Sequence, residues 1–312
     1  MQKPVVVVGS LNLDLVVRPR RAPAAGETVF APGLERYPGG KGGNQAVAAA
    51  RLGAPVSMIA RVGDDGFGAE LIASLERDGV ATNGVTRSGS APTGTALITV
   101  DETGQNRIIV ISGANAEVTP DLVDRYAGLI RAAAVVLLQL EIPVESCLRA
   151  AEIAHAAGVP VILDPAPAPA APLPRRLIEA TWLVTPNETE AAALTGVPVS
   201  GQNGAAEAAR ALLAQGFPRV VVKLGAEGVC LAEPGGTAWC RPFKVPVVDT
   251  TAAGDAFAGG LGAALASGLD LLQALDWGVA AGALAVTRPG AQPAMGTIME
   301  LKGLLETRRG QA

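Results

Sequence analysis

The sequence predicts an α/β fold: a mostly parallel sheet covered by helices on both faces, joined to a small β-sheet lid. Three observations carry this. Short β-branched runs alternate with Ala- and Leu-rich segments of helical length over most of the 312 residues. The first of these runs, Val5–Val8, is apolar throughout and ends in glycine, as a strand buried on both faces does. Two segments, 15–37 and 93–112, break the alternation with short extended pieces and turn residues. The division expected is a main α/β domain of residues 1–13, 38–92 and 113–312, and a β lid of residues 14–37 and 93–112.

Taken in order, residues 4–9 read as a strand, and Ser10–Asp14 follows at its carboxyl end, where open α/β sheets bind ligands. From Leu15 to Tyr37 the pattern is broken by Pro19, Pro23, Gly26 and Pro32, which suits small antiparallel strands. A glycine run, Pro38–Asn44, leads into an Ala-rich helix at 45–52. A strand at 56–62, a turn at 63–66 and a helix at 67–78 follow. Segments 93–100 and 107–112 flank Asp101–Gly104 as a hairpin. Then come a helix at 120–132, a strand at 134–140, a helix at 144–157 and a strand at 159–164. After a Pro/Ala loop at 165–174 the pattern gives a helix at 175–180, a strand at 182–185, and helices at 188–195 and 204–215. A strand at 219–224 and a hairpin at 228–245 lead to helices at 253–267 and 271–287, with an exposed helix at 298–308.

Composition excludes several classes. A net charge of -4 and 3% aromatic content argue against nucleic-acid binding and base-stacking platforms. The three cysteines, Cys147, Cys230 and Cys240, are far apart and form no CxxC pair, which suits free thiols in a reducing compartment. No signal peptide opens the chain and no apolar run reaches membrane-spanning length, so a soluble cytoplasmic protein is expected. A single histidine, His155, argues against a zinc site or a Ser-His-Asp hydrolase.

The stretch Val248–Phe257 organises the rest. It reads as an extended segment, a tight small-residue turn and a helix start, which offers backbone N–H groups to an anion. Asp255 lies in the first helical turn, so an anion-binding turn stands beside a carboxylate that can act as a base. Polar residues recur at other strand ends: Asn12 and Asp14, Glu141, Asn187 with Glu190, and Asp249. Asn12 and Asp14 are two apart on an extended segment and can face one way, as a pair suited to vicinal hydroxyls. Glu141 can take a further hydroxyl or simply cap the next helix. Asn187–Glu190 is good capping chemistry and can equally organise a Mg²⁺ water shell. Lys223–Gly228 joins two β segments and can be a plain turn or a backbone shelf for a nucleotide. The glycine run at 39–43 fails the P-loop pattern, because no Ser or Thr follows Lys41, and fails the dinucleotide fingerprint too.

These motifs together resemble the ribokinase branch of the PfkB carbohydrate-kinase family. Gly39–Gln45 is similar to the first family signature, Asp249–Asp255 to the second, and Thr185–Glu190 to its NxxE motif. Gly9–Asp14, Gln139–Glu141, Asp164–Pro167 and Thr287–Pro293 also resemble family segments, in the family order, so the likeness covers nearly the whole chain. It implies a ribokinase-like three-layer α/β/α fold and ATP-dependent phosphorylation of the 5-hydroxyl of D-ribose. Deoxyribose, fructose or a nucleoside is the alternative substrate, and a non-catalytic sugar or nucleotide sensor the alternative class.

By the resemblance Asp255 is the general base, and amides of Ala252, Ala253, Gly254 and Asp255 form an anion hole. Asn12, Asp14, Gly39, Gly40, Lys41, Gly42, Gly43, Asn44 and Glu141 bind sugar. Asn187, Lys223, Leu224, Gly225, Ala226, Glu227, Gly228 and Gly254 bind ATP. Mg²⁺ accompanies ATP through water on Asn187 and Glu190, and K⁺ is held by Asp249, Thr251, Ala285, Arg288 and Gly290. Three positions depart from the family pattern: Ala294 where many members carry Ser near the cation, Val279 where some carry His near adenine, and Leu13 where Ala is expected. Because two strand pairs outside a main sheet leave open edges, a homodimer through the lid is expected.

Overall fold

The computed structural model describes residues 2–309. Its main sheet has nine strands in the spatial order Gly236–Cys240 (β13), Val229–Glu233 (β12), Val220–Lys223 (β11), Leu183–Val184 (β10), Val161–Asp164 (β9), Val135–Gln139 (β8), Val5–Val8 (β1), Val56–Gly63 (β4) and Val80–Ser88 (β5). Every pairing from β11 to β5 is parallel; β12 and β13 alone run against their neighbours.

The central strand shows why both faces must be covered. All four valines of β1 are fully buried, and alternate side chains enter different cores: Val5 and Val7 one, Val6 and Val8 the other. The first core is closed by helices Lys41–Arg51 (α1), Gly66–Arg77 (α2), Ala253–Ala266 (α9), Leu271–Ala285 (α10) and Ile298–Arg309 (α11). The second is closed by Pro120–Arg125 (α3), Ala127–Ala132 (α4), Val144–Ala156 (α5), Arg175–Ala180 (α6), Glu188–Thr195 (α7) and Gly201–Ala214 (α8).

A second sheet of four strands stands apart, ordered Leu34–Gly39 (β3), Asn12–Val17 (β2), Gly94–Val100 (β6) and Asn106–Ile111 (β7). Its two hairpin-like edges are antiparallel, but the central pair, β2 and β6, is parallel. Residues 18–33 form no strand. The sheet takes in Asn12, Leu13, Pro38 and Gly39, which the expected boundaries assign to the main domain.

Several elements differ from expectation. The strand β5 is not legible, because Ala-Thr-Asn-Gly-Val-Thr-Arg-Ser is polar and only its end residues, Val80 and Ser88, and Gly84 are buried. The helix read at 120–132 is two short helices that meet at Tyr126. The helix read at 204–215 starts earlier, at Gly201, and β10 shrinks to two residues. The hairpin expected over 228–245 ends at Cys240, and beyond it Val248 and Asp249 donate their amides to the Val286 carbonyl. The final helix is not wholly exposed, since Leu301 is fully buried in the first core.

The largest shift concerns the glycine run. The helix expected from Gln45 begins at Lys41, so Lys41–Asn44 are its first turn, while Gly39 ends β3. Gly40 has φ 80°, and a Cβ there would lie 2.7 Å from the Asn12 amide, so only glycine fits. The first-turn amides find partners outside the helix: Lys41 N donates to Glu141 Oε2 (3.0 Å), Gly42 N to Ser10 Oγ (3.3 Å) and Gly43 N to the Ser10 carbonyl (3.0 Å). That satisfaction offsets the poor helix propensity of two consecutive glycines.

Candidate active site

The carboxyl ends of β1, β8, β9 and β11 and the start of β2 converge on the first turns of α1 and α9. Asp255, in the first turn of α9, is 5% exposed. Its Oδ2 accepts Asn44 Nδ2 at 2.9 Å and its Oδ1 accepts Gln45 Nε2 at 3.2 Å. The Oδ1 of Asn44 is buried with no partner, a free acceptor beside the carboxylate. The turn before α9 is strained: Ala252 has φ 57°, the one non-glycine residue with positive φ among the described residues. Such a conformation costs about 1 kcal/mol or more and persists where the surroundings enforce it. No side chain caps this helix. Of the amides expected to face an anion, that of Ala253 is engaged by the Thr250 carbonyl (3.3 Å).

Asn12 and Asp14 lie on β2, an extended segment as expected, but one that belongs wholly to the lid sheet. Asn12 is buried, and its Oδ1 accepts Asn115 Nδ2 at 2.7 Å, so its own amide nitrogen is left to donate elsewhere. Asn115 is itself clamped to both backbone groups of Leu11. Gly39, paired across from Asn12, leaves the space that the Asp14 carboxylate fills; a Cβ there would stand 2.3 Å from Oδ2. Glu141 faces them and accepts Ser10 Oγ at 2.6 Å as well as the Lys41 amide, both on Oε2. Asn12, Asn115 and Glu141 line a cleft of about 410 Å³ closed on the lid side by Val110 and Ser112.

Charges are crowded here. Burial pushes Asp255 from 3.8 up to about 6, against the pull of the Lys41 ammonium and with a further push from Asp164. Burial, then Glu141 and Asp255, push Asp14 up to about 7. Burial works against the charge of Lys41, but Asp255, Asp164, Glu141 and Glu190 together outweigh it and hold the ammonium above the ordinary lysine value. Glu190 is raised by burial and by Asp164.

Asn187 and Glu190 form a complete capping box at α7: Asn187 Oδ1 accepts Glu190 N (2.8 Å), and both Glu190 oxygens accept from Asn187. Across from them, β11 ends at Lys223, and a 3-10 turn at Gly225–Glu227 leads to β12. Gly225, Ala226 and Glu227 are exposed; Leu224 and Gly228 are buried. A Cβ on Gly254 would stand 3.3 Å from Lys223 Nζ, so this turn and the start of α9 share one space.

Asp249 ties two loops together. Its Oδ1 accepts Thr251 N and Oγ1 (2.9 and 2.7 Å), and its Oδ2 accepts Gly290 N (2.9 Å). Burial works upward on Asp249, but these bonds hold it below the usual carboxylate range. The Arg288 guanidinium is turned to Glu300, which leaves only its carbonyl to the loop, and Ala285 and Ala294 are fully buried. Val279 is buried in the core and Leu13 is fully buried as well, pointing away from the cleft. His155 is exposed on α5.

Sequence reasoning assigns no role to four members of this cluster, although Gln45, Gln139 and Asp164 fall within its family-like segments. Asp164, Gln45, Gln139 and Asn115 are all buried and bonded to the residues above. Asp164 ends an apolar strand, the same signal that singles out Glu141, and can be found that way. A wider cleft of about 460 Å³ opens at the opposite, amino ends of the strands, but its Arg219 is spent on Glu233 (2.8 Å) and on the Trp182 ring.

The model of the pfkB family carbohydrate kinases matches residues 2–298. The ribokinase of Schizosaccharomyces pombe is 38% identical over 315 residues, covering 98% of this chain and 98% of that one. A deoxyribokinase of Salmonella typhi is 35% identical and covers 96% of this chain and 98% of its own. The structure of Arabidopsis thaliana ribokinase complexed with ribose and ATP superposes with a TM-score of 0.92 at 35% identity, over 98% of this chain and 99% of that one.

Carboxyl-detected NMR of the unliganded protein is expected to give a titration midpoint near 6 for Asp255 and near 7 for Asp14. Lys41→Met removes the strongest force favouring the ionised form, so the Asp255 midpoint moves upward. A midpoint at the ordinary 3.8, or no movement in the variant, contradicts this electrostatic account.

Proposed function

The chain belongs to the pfkB family of carbohydrate kinases, and we propose that it transfers the γ-phosphoryl group of ATP to the 5-hydroxyl of D-ribose, giving D-ribose 5-phosphate and ADP. The observation that carries this is the buried Asp255 carboxylate, held by Asn44 and Gln45 in the first turn of an uncapped helix, where burial pushes it up to about 6. A carboxyl of that kind is largely ionised at neutral pH and still a competent proton acceptor. Asp255 takes the proton of the 5-hydroxyl as that oxygen bonds to the γ-phosphorus. The bond from phosphorus to the bridging oxygen breaks, and ADP carries the electron pair away. Amides at Ala252, Gly254 and Asp255 stabilise the charge on the transferring group.

In this reading Asn12, Asp14, residues 39–44 and Glu141 hold the sugar. Their chemistry supports it: Asn12 offers donors, Asp14 and Glu141 offer acceptors, and the orphaned Asn44 Oδ1 awaits a hydroxyl. Asn187, Lys223–Gly228 and Gly254 hold ATP, supported by the exposed backbone of Gly225–Glu227 beside the α9 turn. Deoxyribose is the second substrate to consider, because deoxyribokinases are also 35% identical to the chain. Comparison of kcat/KM for ribose, deoxyribose and fructose separates these.

Mg²⁺ bound with ATP supplies charge neutralisation. Among the described residues no three His, Cys, Asp or Glu side chains gather to hold a metal by themselves. That suits an ion carried on phosphates, with the Asn187–Glu190 pair holding its water shell. The Asp249, Thr251, Ala285, Arg288 and Gly290 segments fit K⁺: the Asp249 carboxylate is occupied bracing the loops, and backbone carbonyls remain to suit a weakly hydrated cation. There the cation fixes the shape of the turn.

We further infer a homodimer. All six residues of β7 are exposed, among them Ile108, Ile109, Val110 and Ile111, and Leu34 lies exposed on the opposite edge strand. The three free cysteines suit a reducing cytoplasm, and among the described residues no helix is long and apolar enough to cross a membrane.

Three outcomes follow. Asp255→Asn loses about 10²–10⁴-fold in kcat with little change in sugar affinity, as removal of a general base does; near-normal turnover refutes the assignment. Replacing K⁺ by Na⁺ lowers kcat more than it alters ribose binding measured by calorimetry, and an effect confined to binding contradicts the turn-shaping role. Light scattering at micromolar concentration gives twice the mass of 31.4 kDa, and a monomeric mass overturns the dimer.

A further inference from the structure

Asp164 takes no part in the chemistry assigned above, yet it is 2% exposed at the end of β9, within the cluster. Its Oδ1 accepts Lys223 Nζ at 2.7 Å, and its Oδ2 accepts Gln45 Nε2 at 3.2 Å. The same Gln45 nitrogen donates to Asp255 Oδ1 at 3.2 Å. Gln139 pins the amide by donating to Gln45 Oε1 at 2.6 Å. One carboxylate therefore holds an ammonium directly and reaches the base through a single amide.

The ammonium it holds is not idle. The Lys223 side chain is 12% exposed, and Nζ lies 3.3 Å from where a Cβ on Gly254 would stand. It thus abuts the turn whose amides face the phosphoryl group. A lysine side chain has several rotatable bonds, and only a fixed partner keeps its charge at one point. The competing partner is Glu190, whose carboxylate feels both Asp164 and Lys223. Without Asp164 the ammonium is free to turn toward Glu190 and away from Gly254. A buried ion pair of this sort adds little stability over an apolar pair, because desolvation cancels most of the attraction. Its value here is in where it holds the charge.

We propose that Asp164 is a positioning residue for phosphoryl transfer: it fixes the Lys223 ammonium at the Gly254 turn, where it meets the transferring phosphoryl group, and through Gln45 it orients the Asp255 carboxylate. This rests on the kinase reading. If that reading fails, the wild-type protein releases no ADP with ribose and ATP; if only this inference fails, wild type turns over and Asp164→Asn turns over as fast as wild type.

The test is Asp164→Asn, which keeps the shape and removes the charge. Its kcat is expected to fall about tenfold to a hundredfold, the scale of a small misplacement of reacting groups, while ribose KM changes by less than about threefold. In the unliganded variant the carboxyl-NMR midpoint of Asp255 moves down, because a like charge is gone while Lys41, Glu141, Asp14 and Asn44 still face it. Lys223→Met lowers kcat similarly, and the double variant Asp164→Asn/Lys223→Met is no slower than Lys223→Met alone. The double variant leaves no unpaired buried charge, so it keeps the question open to test if Asp164→Asn fails to fold. Wild-type kcat in Asp164→Asn or in the double variant overturns the proposal. So do additive losses, or a kcat loss matched by the unfolded fraction with the Asp255 midpoint unmoved.

Discussion

At Gly259, α9 passes so close to α1 that a Cβ would stand 2.5 Å from the Ala48 methyl and 2.7 Å from the Gln45 carbonyl. On the other flank of α9, a Cβ at Gly260 would stand 2.7 Å from the Ala281 methyl of α10. The sequence of α9 is accordingly mostly Ala and Gly, with Asp255, Phe257 and Leu261 buried and Leu265 half-buried. This spacing brings the first turn of α1 against the first turn of α9, so that Asn44 and Gln45 reach Asp255. A larger residue at Gly259 pushes the helices apart and breaks both hydrogen bonds at once. The chemistry of the site thus depends on a packing distance set a full turn away from it.

Two helix N-termini open on the same cleft, and each by itself attracts an anion. They differ in what already occupies them. The α1 amides are taken by Ser10 and by the Glu141 carboxylate, which places a negative charge where an incoming phosphate would sit. The α9 start has no side-chain cap and has Lys223 beside Gly254. In the proposed reading this contrast assigns the phosphoryl group to α9, beside Asp255, and the uncharged polyol to α1.

Much of the layered fold was legible because burial on both faces leaves uninterrupted apolar runs: Val5–Val8, Val135–Leu138 and Val161–Leu163 announce themselves. The strand β5 did not, because an edge strand with one wet face needs few apolar residues. The start of α1 was hidden because its helicity depends on Ser10 and Glu141, 31 and 100 residues from Lys41 in sequence. In the site, Asp255 and Glu141 stood out as acids at element ends. Gln45 and Gln139 did not, since a glutamine inside an Ala-rich helix or an apolar strand carries no signal until the fold sets it against a carboxylate. Asn115 lies in a short 3-10 turn with no pattern of its own. What pairwise contact alone defines, periodicity cannot reveal.

The raised carboxylates carry a cost. A folded value near 6 against an ordinary 3.8 means that Asp255 favours the fold at low pH, and that the advantage is lost as pH climbs between the two values. At neutral pH the ionised, buried form is disfavoured by about 3 kcal/mol, the free-energy equivalent of that rise. Asp14, raised by burial and by Glu141 and Asp255, adds to the same crowding. Asp14 sits on β2 of the small sheet, whereas Asp255 lies on α9 and Glu141 in the loop that follows β8 of the large one. The charges that raise Asp14 therefore reach it from outside its own sheet, and the Lys41 ammonium counters them. In the proposed reading, hydroxyl groups of a bound polyol donate to these carboxylates and offset the cost of burying them.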